Sequence, residues 1–166
     1  MRRHRKREES MDRLLLDTTY LLPIFGVRVS LEGFDTMFPL LLDKYSVVYN
    51  PISIVEAKWI VLRLSRRRSQ ERKLILERFR EGVKVLLNDG RLSQTVITNS
   101  DVEEIADRLL LEAGIRDYFD RMIYSTAAYF NAILLTEDET LKGINLEDLP
   151  RPSKVMKWRE LTEFIG

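Results

Sequence analysis

The chain has 166 residues, a net charge of +1, 45% hydrophobic and 32% charged residues, which is the size of one domain and the balance of an ordinary globular fold. No apolar run approaches the ~18 residues that cross a bilayer, and the charged stretch Met1–Arg13 has no apolar segment of the secretory kind behind it, so a cytoplasmic protein without membrane contact is expected. Cysteine is absent and His4 is the only histidine, which excludes disulfides and thiolate metal sites, argues against imidazole zinc sites and Ser-His-Asp relays, and leaves carboxylates, hydroxyls and hard cations as the available chemistry.

Residues 1–12 read as a disordered basic arm carrying Arg2, Arg3, Arg5, Lys6 and Arg7, ahead of one domain over residues 13–166. The apolar run Arg13–Leu16 predicts a buried strand that ends at Asp17. Helical spacing of Phe34, Phe38, Leu41 and Leu42 predicts a helix over Leu31–Asp43, and Ser46–Tyr49 is a second strand closed by the Asn50-Pro51 turn signal. Proline suits the first turn of a helix, which continues through Ile52–Leu64. A further helix is expected over Gln70–Leu87 and a strand over Gln94–Ile97. Asn99 or Ser100 then caps a helix over Asp101–Ala113 that stops at Gly114. A helix over Asp117–Asn131 leads into the short strand Ile133–Leu135, and Lys154–Met156 is a last strand before a terminal helix with Trp158, Leu161 and Phe164. Strands that alternate with helices and are apolar throughout predict a mostly parallel sheet covered on both faces, a three-layer α/β/α sandwich.

In such sheets ligands bind at the carboxyl ends of the strands, where strand order reverses. Asp17 directly follows the first strand, and Asp138 follows Ile133–Leu135 through Thr136. Each has a competing reading as a cap, Asp17 with Thr18 and Thr19, Asp138 for the turn Glu139–Lys142. Glu56 has Ile52, Trp59 and Ile60 as its helical neighbours, so its carboxylate emerges from an apolar face. Such a group is costly unless paired or metal-bound, and an ion pair with an arginine is its alternative. Asp120 lies one turn before Ile123, and its alternative is a first-turn acid favoured by the helix dipole; Asp117 reads as a helix-start residue. If four such acids share one cleft they raise each other's pKa values, a conflict that a divalent cation with oxygen ligands removes. Arg63, Arg66, Arg67, Arg68, Arg72 and Lys73 form a basic cluster that either positions an anionic polymer or lies on a solvated face. No Walker-type or G-x-G-x-x-G loop occurs, so nucleotide chemistry has no cradle.

The segment Leu14-Leu15-Leu16-Asp17-Thr18-Thr19-Tyr20 resembles the opening of a PIN domain, and Ile52-Ser53-Ile54-Val55-Glu56-Ala57 its second acidic motif. Asp120-Arg121-Met122-Ile123 is similar to the third, and Leu134-Leu135-Thr136-Glu137-Asp138 to the closing Thr-x-Asp. The resemblance runs from about Arg13 to Pro150. It implies a metal-dependent endoribonuclease with a five-stranded parallel sheet. Asp17, Glu56, Asp120 and Asp138 would hold Mg²⁺ or Mn²⁺ directly or through water, and Thr18 and Thr136 would orient them. Asp117, Glu137 and Glu139 are nearby acids to which the resemblance gives no role. RNA is the implied substrate, and many relatives are VapC-type toxins held by an antitoxin, often as homodimers. The basic arm and the longer Ser65–Asn88 segment depart from the compact toxin forms. Competing readings are a PIN-like RNA-binding or assembly module without useful activity, and a doubly wound phosphatase with Asp17 as nucleophile. The phosphatase pattern wants a second aspartate where Thr19 stands.

Overall fold

The computed structural model describes residues 11–165. Residues 1–10, most of the expected basic arm, lie outside the described residues. Five strands form one sheet: β1 (Arg13–Leu16), β2 (Ser46–Tyr49), β3 (Leu92–Gln94), β4 (Ile133–Leu135) and β5 (Lys154–Met156). They run in the order β3-β2-β1-β4-β5, and every pairing is parallel. The sheet is thus wholly rather than mostly parallel. Strand order reverses between β1 and β4, where Leu15 lies beside Leu134 and Leu16 beside Leu135.

Among the described residues seven α-helices cover the sheet: α1 (Phe34–Lys44), α2 (Ile52–Arg67), α3 (Arg72–Asn88), α4 (Ser100–Ala113), α5 (Tyr118–Tyr129), α6 (Glu139–Lys142) and α7 (Trp158–Ile165). Side chains alternate across the pleat and sort the core into two layers. Leu14, Leu16, Val47 and Leu135 pack under α1, α2, α3 and α7 through Leu41, Ala57, Val61, Phe79, Leu86 and Leu161. Leu15, Val48 and Leu134 pack on the other face against Ile105, Leu109, Ile123 and Leu141 of α4, α5 and α6. The expected three-layer sandwich is therefore the observed one.

Local chemistry explains most boundaries. Asn99 caps α4 by accepting from Val102 N at 2.9 Å, and Gly114 closes it in the left-handed region. Asp117 caps α5 by accepting from Asp120 N. α1 starts at Phe34 rather than Leu31, because Gly33 takes the left-handed conformation as its N-cap. α2 runs past Leu64 to Arg67, and a 3-10 turn at Ser69–Glu71 delays α3 to Arg72. The two helices pack against each other over one face of the sheet. Gly82 of α3 lies so close to the 3-10 turn Leu22–Phe25 that a Cβ there would stand 2.3 Å from the Ile24 carbonyl oxygen.

β3 is the one strand misplaced by sequence, at Leu92–Gln94 instead of Gln94–Ile97. Thr95 N still donates to Tyr49 O at 2.9 Å, but the Ile97 carbonyl is then taken by the Asn50 side chain and the chain turns toward α4. The β-branched run Thr95–Ile97 promised a strand that this diversion cuts short. Among the described residues no helix is long and apolar enough to cross a membrane.

Candidate active site

β1 ends at Leu16, and the next residue, Asp17, donates its N–H to Leu135 O at 3.0 Å, which fixes it at the carboxyl edge between β1 and β4. Its side chain is buried. Oδ1 accepts from Thr18 N and Oδ2 from the buried Thr136 hydroxyl, both at 2.6 Å. Burial outweighs these donors and lifts the Asp17 pKa above the ordinary carboxylate range, helped by the charges of Asp138 and Asp117.

Two threonines tie Asp17 to the other acids. The Thr18 hydroxyl donates a short hydrogen bond to Glu56 Oε2 on α2. Thr136 Oγ1 accepts from Asp138 N at 3.1 Å while it donates to Asp17. Glu56 is half-buried and its pKa is raised, by burial first and then by Asp17 and Asp117, with Arg63 opposing the rise. Asp120, in the first turn of α5, is pushed up to about 7 by burial and by the charges of Asp117, Asp17, Asp138 and Glu56. The four predicted acids thus meet at one edge, joined by Asp117.

The competing readings prove compatible with this grouping. Asp138 does cap α6, accepting from Thr140 N at 2.7 Å and Leu141 N at 3.2 Å, but it does so through Oδ1 alone. Asp17 does cap the 3-10 turn Thr18–Tyr20. Glu56 makes no ion pair among the described residues, nor do Asp17, Asp117, Asp120 or Asp138. One expectation fails: Trp59 does not share an apolar buried face with Glu56 but is 56% exposed. The side of α2 that packs is Ser53, Ala57, Val61 and Ser65, one position round the helix from the acid.

The six basic residues differ in their pairing. Arg68 pairs with Glu71 and Lys73 with Glu77, whereas Arg63, Arg66, Arg67 and Arg72 pair with no acid among the described residues. Glu139 lies at the surface against Lys157. Glu137 is a tether: it accepts from the Tyr20 hydroxyl at 2.7 Å and from Trp158 N at 2.8 Å, anchoring α7 beside the site.

Asn50, read in sequence only as a turn residue, is fully buried at the end of β2. Its Nδ2 donates to Ile97 O and to Thr126 Oγ1, and its Oδ1 accepts from Ile52 N, all at 2.9 Å. It thereby locks the start of α2, which carries Glu56, to α5, which carries Asp120. Its only sequence signal was its place directly after a buried strand.

Among the described residues no three acids close into a ready-made metal cage. The donor set nevertheless fits a hard divalent cation: every available ligand atom is a carboxylate or hydroxyl oxygen, the acids are partly withdrawn from water, and none forms an ion pair among the described residues, Arg63 acting on Glu56 only from a distance.

The PIN domain profile matches residues 14–145. No curated protein matches the chain by sequence. Among solved structures, VapBC2 from Rickettsia felis, bound to a DNA fragment from its promoter, superposes with a TM-score of 0.59 at 17% identity, covering 88% of this chain and 98% of that one. PAE2754 from Pyrobaculum aerophilum superposes with a TM-score of 0.57 at 18% identity, covering 93% of this chain and 96% of that one.

Proposed function

Because the chain belongs to the PIN domain family, whose members are generally nucleases that use a divalent metal, we propose that it is an endoribonuclease dependent on Mg²⁺ or Mn²⁺. In the reaction, water adds to phosphorus as the P–O3′ bond breaks, leaving a 3′-hydroxyl and a 5′-phosphate. The observation that carries this reading is a set of five carboxylates gathered at the strand switch point, none in an ion pair among the described residues, with Asp17, Glu56 and Asp138 held by neutral donors. Asp17, Glu56, Asp120 and Asp138 are the residues that would hold the metal, with Asp117 as a fifth acid in reach of the same charge. When bound, the cation supplies an activated water and neutralises charge that builds on the phosphate.

The chain's own side chains supply position. Thr18 N and Thr136 Oγ1 fix both oxygens of Asp17, so the carboxylate cannot rotate away from the edge. Thr18 Oγ1 holds Glu56, and the capping contacts of Asp138 leave its Oδ2 without a hydrogen bond among the described residues. Thr18 and Thr136 are thus positioning residues. The likeness to VapBC2 supports a partner of the antitoxin kind, and the homodimer that the family resemblance implies would present two such edges.

The test is cleavage of a fluorescent RNA by the purified protein in Mg²⁺ or Mn²⁺, beside Asp17→Asn and an EDTA control. Cleavage lost in both controls supports the nuclease. Activity that survives the substitution is a contaminant's, and RNA binding without cleavage assigns the chain to the non-cleaving module instead.

A further inference from the structure

The outer side of α2 combines three features that the fold does not use. Trp59 is 56% exposed and Val55 51% exposed, although large apolar side chains on this helix could have packed inward. One turn separates Trp59 from Glu56 and one more separates it from Arg63, so Glu56, Trp59, Arg63, Arg66 and Arg67 follow one stripe along the helix. The packed side of the same helix is Ser53, Ala57, Val61 and Ser65. Lys58 is also committed to the fold, with its ammonium 4.7 Å from the centre of the Phe79 ring.

The stripe is electrically one-sided. Glu56 is the only acid in Ile52–Arg67, and Arg63, Arg66 and Arg67 have no acidic partner among the described residues. At a rise of about 1.5 Å per residue, Trp59 stands roughly 5 Å and Arg63 roughly 10 Å beyond Glu56 along the axis. An exposed aromatic plane beside the acids, followed by unpaired guanidinium groups, complements a polymer that offers bases and phosphates in turn. Tryptophan and arginine also recur in protein interfaces; what favours RNA here is a run of three arginines with no acidic partner among the described residues.

We propose that α2 is the track for a single-stranded RNA entering the acidic edge, with a nucleobase stacked on the Trp59 indole and the adjoining backbone phosphate held by Arg63. Single-stranded substrate follows from the stacking, because the bases of a duplex already cover one another's faces. Arg66 and Arg67 extend the phosphate contacts away from the acids. The inference rests on the nuclease reading for what happens at the far end of the track, but binding along α2 does not require cleavage.

That separation sets the experiment. The chain has two tryptophans, and Trp158 is buried with its indole N–H donating to Glu32 O at 2.8 Å. Quenching by an added ligand therefore reports Trp59. Wild-type protein in EDTA is titrated with a ten-nucleotide single-stranded RNA, with the same RNA as a duplex, and with inorganic polyphosphate. Quenching by the single strand alone is expected, and Trp59→Ala should weaken single-strand binding about tenfold, with Trp59→Phe retaining most of it. Arg63→Gln should lower the salt dependence of binding while the quenching remains. Where cleavage is measurable, Trp59→Ala should raise KM and leave kcat in place. Equal quenching by the duplex, or a Trp59→Ala protein that binds the single strand as tightly as wild type, overturns the track. So does self-association in sedimentation velocity that Trp59→Ala abolishes while RNA leaves the indole untouched. If wild-type protein cuts no RNA in Mg²⁺ or Mn²⁺, the nuclease reading falls, and the track is still decided by binding.

Discussion

Replacing Asp120 with asparagine should stabilise the metal-free protein, and by an amount that depends on pH in a fixed direction. In the folded chain its carboxyl is pushed from the ordinary 3.8 up to about 7, by burial and by four neighbouring acids. A carboxyl raised in this way favours folding while it is protonated. Its contribution is complete below about pH 4 and is lost as pH rises toward 7. The displacement corresponds to about 4 kcal/mol when Asp120 is fully ionised. Asp120 is only half-buried, so solvent screening reduces this to about 2 kcal/mol.

Asparagine keeps the shape and removes the charge. Its effect should therefore be a rise in Tm of about 4–8 °C at pH 8 in EDTA, shrinking toward nothing at pH 4. Differential scanning calorimetry from pH 4 to pH 8.5 measures it directly. Mn²⁺ should raise the Tm of the wild type at pH 8 and should raise that of Asp120→Asn much less, because both act on the same repulsion. A lower Tm for the variant at pH 8, or a rise that is the same at pH 4, would refute the electrostatic account of the site.

Three further outcomes follow from the geometry. Thr136→Val keeps the volume but removes the donor to Asp17 and the acceptor for Asp138 N; it should lower stability by ~2–3 kcal/mol in chemical denaturation and weaken Mn²⁺ binding, followed by calorimetry, about tenfold or more. Gly82→Ala sets a methyl 2.3 Å from the Ile24 oxygen and 2.8 Å from Phe25 Cα; because the obstacle is backbone, it should cost ~3 kcal/mol and lower Tm by about 6–12 °C, without changing metal affinity. Asn50→Ala strands the Ile52 N–H and the Thr126 hydroxyl contact in the interior; it should destabilise by ~3 kcal/mol, and amide exchange should speed up first at the starts of α2 and α5.

What sequence could show was local. The strands Leu14–Leu16, Val47–Tyr49 and Ile133–Leu135 are continuous apolar runs because helices bury both faces, and that continuity reveals a parallel sheet without any alignment. Asn99, Gly114 and Asp117 act on backbone groups within three to five residues, so their caps could be read in place. β3 was misplaced because the group that ends it, Asn50, lies 47 positions away from Ile97. Trp59 was assigned to a buried face on hydrophobicity alone, whereas the helix turns its small residues inward and its tryptophan out. The acids could be placed at a sheet edge by their position after β1 and β4, but nothing local announced that Thr136 would reach Asp17 across 119 positions. Such links are a property of the folded register, and they are where the site acquires its order.

The way the protein distributes its charges bears on what the site is for. With 27 lysines and arginines against 26 acids, the chain has enough cations to pair every side-chain carboxylate. Elsewhere some acids are paired in this way: Arg91 holds Asp89, and Arg108 holds Glu112, each below its usual range. At the switch point the same chain places Asp17, Glu56 and Asp120 together, lets all three rise, and gives Asp17 and Glu56 hydrogen bonds from a backbone amide and threonine hydroxyls, with no ion pair among the described residues. Neutral donors fix the geometry and leave the negative charge uncommitted, which costs stability and, on the proposed function, would preserve affinity for a cation that also binds a phosphate. The stabilisation expected for Asp120→Asn is therefore the other face of the proposed activity: the substitution that relieves the fold should be one that silences the enzyme.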